Sequence, residues 1–136
     1  MLMMISLFLA CETPSVAQDE AVCAAGDTCS WTCDGDCDLT CEAETTCDAD
    51  CDADATCALS SEGVSVYVDC TDATICNVDC ALTDDCEVIC GNNAECTVGC
   101  PSENCTVRAC DWAQGCLVTC GGSGAPTLTG LNATCP

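Results

Sequence analysis

From residue 21 onward, apolar and polar positions alternate with a period of two, in runs of five residues separated by polar segments. Each run has an apolar centre and, with few exceptions, Cys at both ends. The centres are Trp31, Leu39, Ala49, Leu59, Val68, Val78, Val88, Val98, Val107 and Val118. Ala21 and Leu128 continue the series where a flanking Cys is missing. In an extended strand residues i, i+2 and i+4 share a face, so Cys, apolar centre and Cys point inward together. The residues between them, such as Asn77 and Asp79 or Thr97 and Gly99, point outward. Val at the centre favours strand over helix. The intervening segments, rich in Gly, Asp, Asn and Thr, are too short for helices and read as turns.

The runs recur every ten residues as C-x5-C-x3-C, with Cys70, Cys80, Cys90, Cys100, Cys110 and Cys120 marking the beat. Short strands at a fixed period with a turn between them predict a solenoid. The expected fold is all-β: a small disulfide-rich parallel β-solenoid with ten-residue coils over residues 21–136. About eleven coils rising ~4.8 Å each make a rod ~50 Å long. In that arrangement Asp69 and Asp79 lie one strand apart on one face.

One irregularity bears on which cysteines pair. Between Cys57 and Cys70 the beat skips, and Ser61 and Val66 occupy the two vacant cysteine positions. They flank one turn, not one strand. A disulfide loses both partners together, so the bonds are expected to cross turns. The pairs are then Cys23–Cys29, Cys33–Cys37, Cys41–Cys47, Cys51–Cys57, Cys70–Cys76, Cys80–Cys86, Cys90–Cys96, Cys100–Cys105 and Cys110–Cys116, with Cys120–Cys135 left at the end. Pairing across a strand is disfavoured, because positions one and five of a strand sit ~13 Å apart and a disulfide needs ~5.5–6 Å. Pairing between adjacent coils remains an open alternative.

Composition supports a covalent scaffold. The hydrophobic fraction of 49% counts 21 Cys and many Ala, so few large aliphatic side chains remain for a core. Such a cysteine content in a short chain points to disulfides in an oxidising compartment. A thiolate metal sponge fits less well: the chain has no CC, CxC or CxxC and no His, and zinc sites favour closer spacings. One basic residue against 23 acidic ones gives a net charge of −22. That excludes phosphate-neutralising nucleic-acid binding and disfavours anionic lipid surfaces. It also keeps a thin rod from associating.

Residues 1–11 read as a signal segment: apolar Met1–Ala10, then Cys11, with a polar linker over 12–20. The small residue Ala10 before Cys11 resembles the lipidation site of bacterial lipoproteins. No Lys or Arg precedes the apolar run, which departs from signal-peptide rules. Removing Cys11 leaves an even number of cysteines for pairing. Lipidation at Cys11 would anchor the protein without spanning, so the membrane enters only through that anchor. Over roughly residues 23–120 the composition is similar to cysteine-rich repeat surface lipoproteins of bacteria. The coil spacing resembles the insect antifreeze β-solenoids, in which a C-x5-C disulfide closes each coil. The first resemblance implies an extracellular or outer-membrane, lipid-anchored location and an unknown protein or envelope partner.

The antifreeze resemblance implies ice binding, which needs Thr repeated at fixed outward positions. Here the outward rows carry no TxT ladder and are interrupted by charge, as at Asp48, Glu87 and Asp79. Calcium is a further alternative. Asp48, Asp50, Asp69 and Asp79 are the candidate ligands, since stacked like charges repel and a hard cation could relieve them with oxygen ligands. The acidic stretch 34–54 matches neither an EF-hand nor the GGxGxD nonapeptide. A solvated acidic face is the plainer explanation. Without His or Lys the chain offers no visible base for a Ser nucleophile. It also lacks the electropositive thiol that redox catalysis needs. No catalytic residue and no cofactor other than calcium is expected. Trp31 is placed as a plug of the N-terminal core, and Trp112, in a turn, as a candidate partner contact. The expected role is structural or adhesive.

Overall fold

The computed structural model describes residues 15–16, 19–121 and 124–135. The signal segment 1–11, with Cys11, lies outside the described residues. The described residues form a parallel β-solenoid with two facing sheets. The first sheet orders β1 (Ser15–Val16), β3 (Thr28–Cys33), β5 (Thr46–Cys51), β7 (Ser65–Asp69), β9 (Asp85–Ile89) and β11 (Cys105–Arg108). It ends with β14 (Asn132–Cys135) and β13 (Thr127–Thr129). The second orders β2 (Asp19–Cys23), β4 (Asp36–Cys41), β6 (Thr56–Ser61), β8 (Ile75–Asp79), β10 (Glu95–Cys100) and β12 (Leu117–Cys120). β1 and β2 begin inside the stretch that polarity marks as a linker, because backbone pairing onto β3 and β4 needs no apolar side chains.

All ten turn-crossing disulfides are present. Their Cα–Cα distances run from 5.4 Å at Cys110–Cys116 to 6.5 Å at Cys41–Cys47. This corrects the coil length. A strand that ends ~6 Å from the start of the next cannot be followed by another in the same direction, since five residues span ~16 Å. The chain therefore runs back on the opposite sheet. A coil is two strands and two turns, about twenty residues. In register, Cys37 pairs with Cys57, Cys57 with Cys76, and Cys76 with Cys96. The solenoid has about five turns, so its length is nearer ~25 Å than ~50 Å. Each bond ties one sheet to the other, five along each edge.

Between the sheets most of the Cys and apolar centres are buried as the period-two pattern requires, with Ala21, Cys29 and Cys120 partly buried at the two ends. Their sizes complement one another. Ala49 on the first sheet lies across from Leu39 and Leu59 on the second, and Val faces Val in later coils. Trp31, 6% exposed, fills the N-terminal coil beside Ala49. The turns also contribute: Thr45, Ala55, Ala73, Thr83 and Ala94 are buried. The Thr45 hydroxyl donates to the Glu42 carbonyl (2.6 Å) and the Thr83 hydroxyl to the Ser61 carbonyl (3.2 Å), which satisfies both buried groups.

Leu128 does not continue the coil. Gly130, at φ 62°, turns the chain back, and β13 and β14 form an antiparallel hairpin closed by Cys120–Cys135. Ala133, not Leu128, takes the buried place beside Val107, and Leu128 is 54% exposed. Trp112 sits in a 3₁₀ turn whose Asp111 side chain accepts from the Ala113 amide (2.9 Å). It is half-buried against the core, with part of its surface still exposed.

The skipped beat leaves one gap in the clamps. Ser61 pairs in register with Cys41, and Val66 lies between Cys47 and Cys86. The Ser61 hydroxyl accepts from the Gly63 amide at 3.0 Å. The 61–66 separation equals that of Cys100–Cys105, which is bonded. A Ser61→Cys/Val66→Cys double variant is therefore expected to gain an eleventh disulfide and about 2 kcal/mol. Its melting midpoint should rise by roughly 5–10 °C. Intact mass under non-reducing conditions checks this, and free thiols at both new positions would defeat it.

Candidate functional site

The two-strand coil sorts the outward residues onto two different faces. On the second sheet, Asp38, Ala58, Asn77, Thr97 and Leu117 form one column. Thr40, Ser60, Asp79, Gly99 and Thr119 form its neighbour. The small residues Ala58, Ser60 and Gly99 lie between bulkier ones and leave a shallow groove of about 670 Å³ across β6, β8, β10 and β12. Ala58 and Ala81 supply apolar lining and Asp38 and Asp79 supply charge, while the Leu59 and Val78 side chains on the same strands are buried in the core. The Asp79 carboxylate is tied to the Ala81 amide (3.1 Å), which fixes the turn at the end of β8. Sequence reasoning missed the groove, because ten-residue counting interleaves the two faces.

The first sheet carries Asp48, Asp50, Tyr67, Asp69, Glu87 and Arg108. Asp50 lies directly opposite Asp69, and Asp48 opposite Tyr67. Asp79 does not join them. It is on the other sheet, half a coil on and across the core, which corrects the expected Asp69–Asp79 neighbourhood. Asp69 is also engaged locally, accepting from the Thr71 amide (3.0 Å) and the Thr71 hydroxyl. The Asp50 carboxyl is held above its ordinary value, first by partial desolvation, then by the charges of Asp69, Asp52, Asp48 and Asp72. The Tyr67 phenol is raised too, by desolvation first and then by Asp69, Glu87 and Asp48, with Arg108 opposing. Arg108 bridges Glu87 at 2.8 Å, with its side chain 56% exposed. Such a surface pair contributes ~0–1 kcal/mol.

Two groups of sulfurs lie close together, Cys90, Cys110 and Cys116, and Cys100, Cys105 and Cys135. All six are in disulfides and present no thiolate, the form a metal requires. Among the described residues no buried side-chain nitrogen or oxygen lacks a hydrogen-bond partner, so the core carries no polar group aimed at a ligand. No helix among them is long and apolar enough to cross a membrane. The arrangement offers a shallow groove on one face and an acidic face on the other. No family model, curated protein or solved structure matches the chain.

Proposed function

We propose that the chain is a secreted or lipid-anchored structural and adhesive protein of the bacterial cell envelope, without enzymatic activity, that binds an extended polymer along the groove of its second sheet. The disulfide-laced solenoid itself supports an extracellular structural role, since ten disulfides persist in oxidising surroundings. The observation that carries the adhesive part is the groove, shaped by Ala58, Ser60 and Gly99. Lipidation at Cys11 would attach the N-terminal end to the membrane. In capture from native envelope extracts, Ala58→Trp should reduce recovery of the bound partner at least ~10-fold, the scale of a filled contact site. Ser30→Trp, on the first sheet, should not. Equal capture by both variants would sink the groove assignment, and a Cys11→Ala chain that stays in the membrane fraction would sink the anchor.

Cation binding is the second reading, favoured by the in-register opposition of Asp50 and Asp69. The folded state holds the Asp50 proton more tightly than the unfolded chain does. That contribution to stability is therefore full below the ordinary Asp range and lost as pH rises through the raised value. The melting midpoint should be higher in mildly acidic than in neutral buffer. Calcium should restore the difference at neutral pH, and Asp69→Asn should shrink both effects. No calcium-dependent shift in the unmodified protein would end this reading.

A further inference from the structure

Going beyond that reading, we infer that the C-terminal end of the solenoid is a self-complementary docking surface for a second copy of this chain. The two sheets do not end level. The first continues past β11 through β14 and β13, whereas the second stops at β12. β12 pairs with β10 on one side and with no strand on the other among the described residues. Val107, Ala133 and Leu128 are in register and share the inward side of the first sheet. Val107 and Ala133 are fully buried, but Leu128 is 54% exposed, because no strand of the second sheet lies across from it. The end is thus a step: one sheet overhangs, and the other lacks the strand that would face the overhang.

A two-fold axis between the sheets and perpendicular to the solenoid completes both steps at once. It places β13 of each copy beside β12 of the other, running antiparallel, and continues each second sheet into the partner's first. The Leu128 side chains of the two copies then meet at the axis, in line with the two cores. Such an interface is isologous and closed, so it yields a dimer and not a fibre. It also covers the bare edge of β12, which otherwise offers unpaired backbone groups.

Charge selects this end as well. Of 23 acids only Asp111 lies beyond residue 103, leaving 22 before it, and the single base Arg108 lies beyond it too. Two chains of net charge −22 repel over most of their surfaces, and least where the last coil is neutral. Three of the six exposed large apolar residues among the described ones, Leu117, Leu128 and Leu131, sit at this end.

Sedimentation of the oxidised full chain at ~100 µM, with amide exchange at two concentrations, tests the inference. A dimer is expected that tightens as salt rises and screens the acidic bodies. Protection at 117–120 and 127–129 should increase with protein concentration. Leu128→Asp should weaken association at least ~10-fold, and Leu82→Asp, an exposed residue distant from this end, should not. A monomer at all salt concentrations, exchange at 117–120 and 127–129 that ignores concentration, or a dimer equally strong in Leu128→Asp would each overturn it. The exchange measurement on the unmodified chain stands even where a variant does not fold.

Discussion

Complete reduction at neutral pH is expected to abolish the β-structure of this protein. Nine of the ten disulfides close loops of sequence separation 4 to 6, and Cys120–Cys135 closes one of 15. Loop-closure entropy gives each short bond ~2 kcal/mol. Their sum, ~20 kcal/mol as an additive upper bound, exceeds the ~5–15 kcal/mol net stability of an ordinary domain. What remains is a core one side chain deep, in which most centres are Val, Leu or Ala. At neutral pH that core must also hold a net charge of −22 together. Far-UV circular dichroism after exhaustive treatment with a phosphine reductant should show a disordered chain. A persistent strand signal with all twenty scaffold thiols free would show that the strand ladders suffice alone.

The second large effect is expected at Gly91. It opens the turn after β9, at φ +79°, directly over the preceding turn on the same edge. A Cβ built there would lie 2.7 Å from the Thr71 Cα and closer still to the Thr71 carbonyl oxygen, both of them backbone atoms. The left-handed conformation alone costs a non-glycine residue ~1–2 kcal/mol. The stacked turn cannot move away without breaking the register between coils. Gly91→Ala should therefore cost ~3 kcal/mol or more, among the larger single-substitution effects. Gly26 is the built-in control: its φ is +84°, and a Cβ there meets nothing within 4 Å. Gly26→Ala should show the conformational cost without the collision. Comparable drops in melting midpoint for the two variants would remove Thr71 from the explanation.

Much of the fold was legible because Cys and Val obey a period of two and the skipped beat loses two positions together. Ser61 and Val66, together with the length of a five-residue strand, point to bonds across turns, and the structure has those bonds. The ten-residue spacing does not show the coil length, although the same bonds contain it: a clamp at the end of a strand forces the next strand to run back. From that one geometric step come the correct separation of Asp69 from Asp79 and the assembly of Ala58, Asn77 and Thr97 into one column. Leu128 departs from the repeat for a different reason. Thr127-Leu-Thr129 has the local pattern of a repeat strand, and only its antiparallel pairing with β14 distinguishes it. Local pattern reports which side of a strand is apolar, and it does not report which neighbour the strand chooses. The groove was hidden because small residues such as Ala58 and Gly99 acquire meaning only beside the strands twenty residues away.

The alternation of strands between two sheets also sets a rule of parity for this architecture. Adding or removing one ten-residue unit would exchange the two faces for every strand downstream, so that the groove would abruptly continue as the acidic wall. Adding or removing two units would lengthen or shorten the molecule and leave each face intact. Growth of such a chain by duplication is therefore neutral to its surfaces only in even steps.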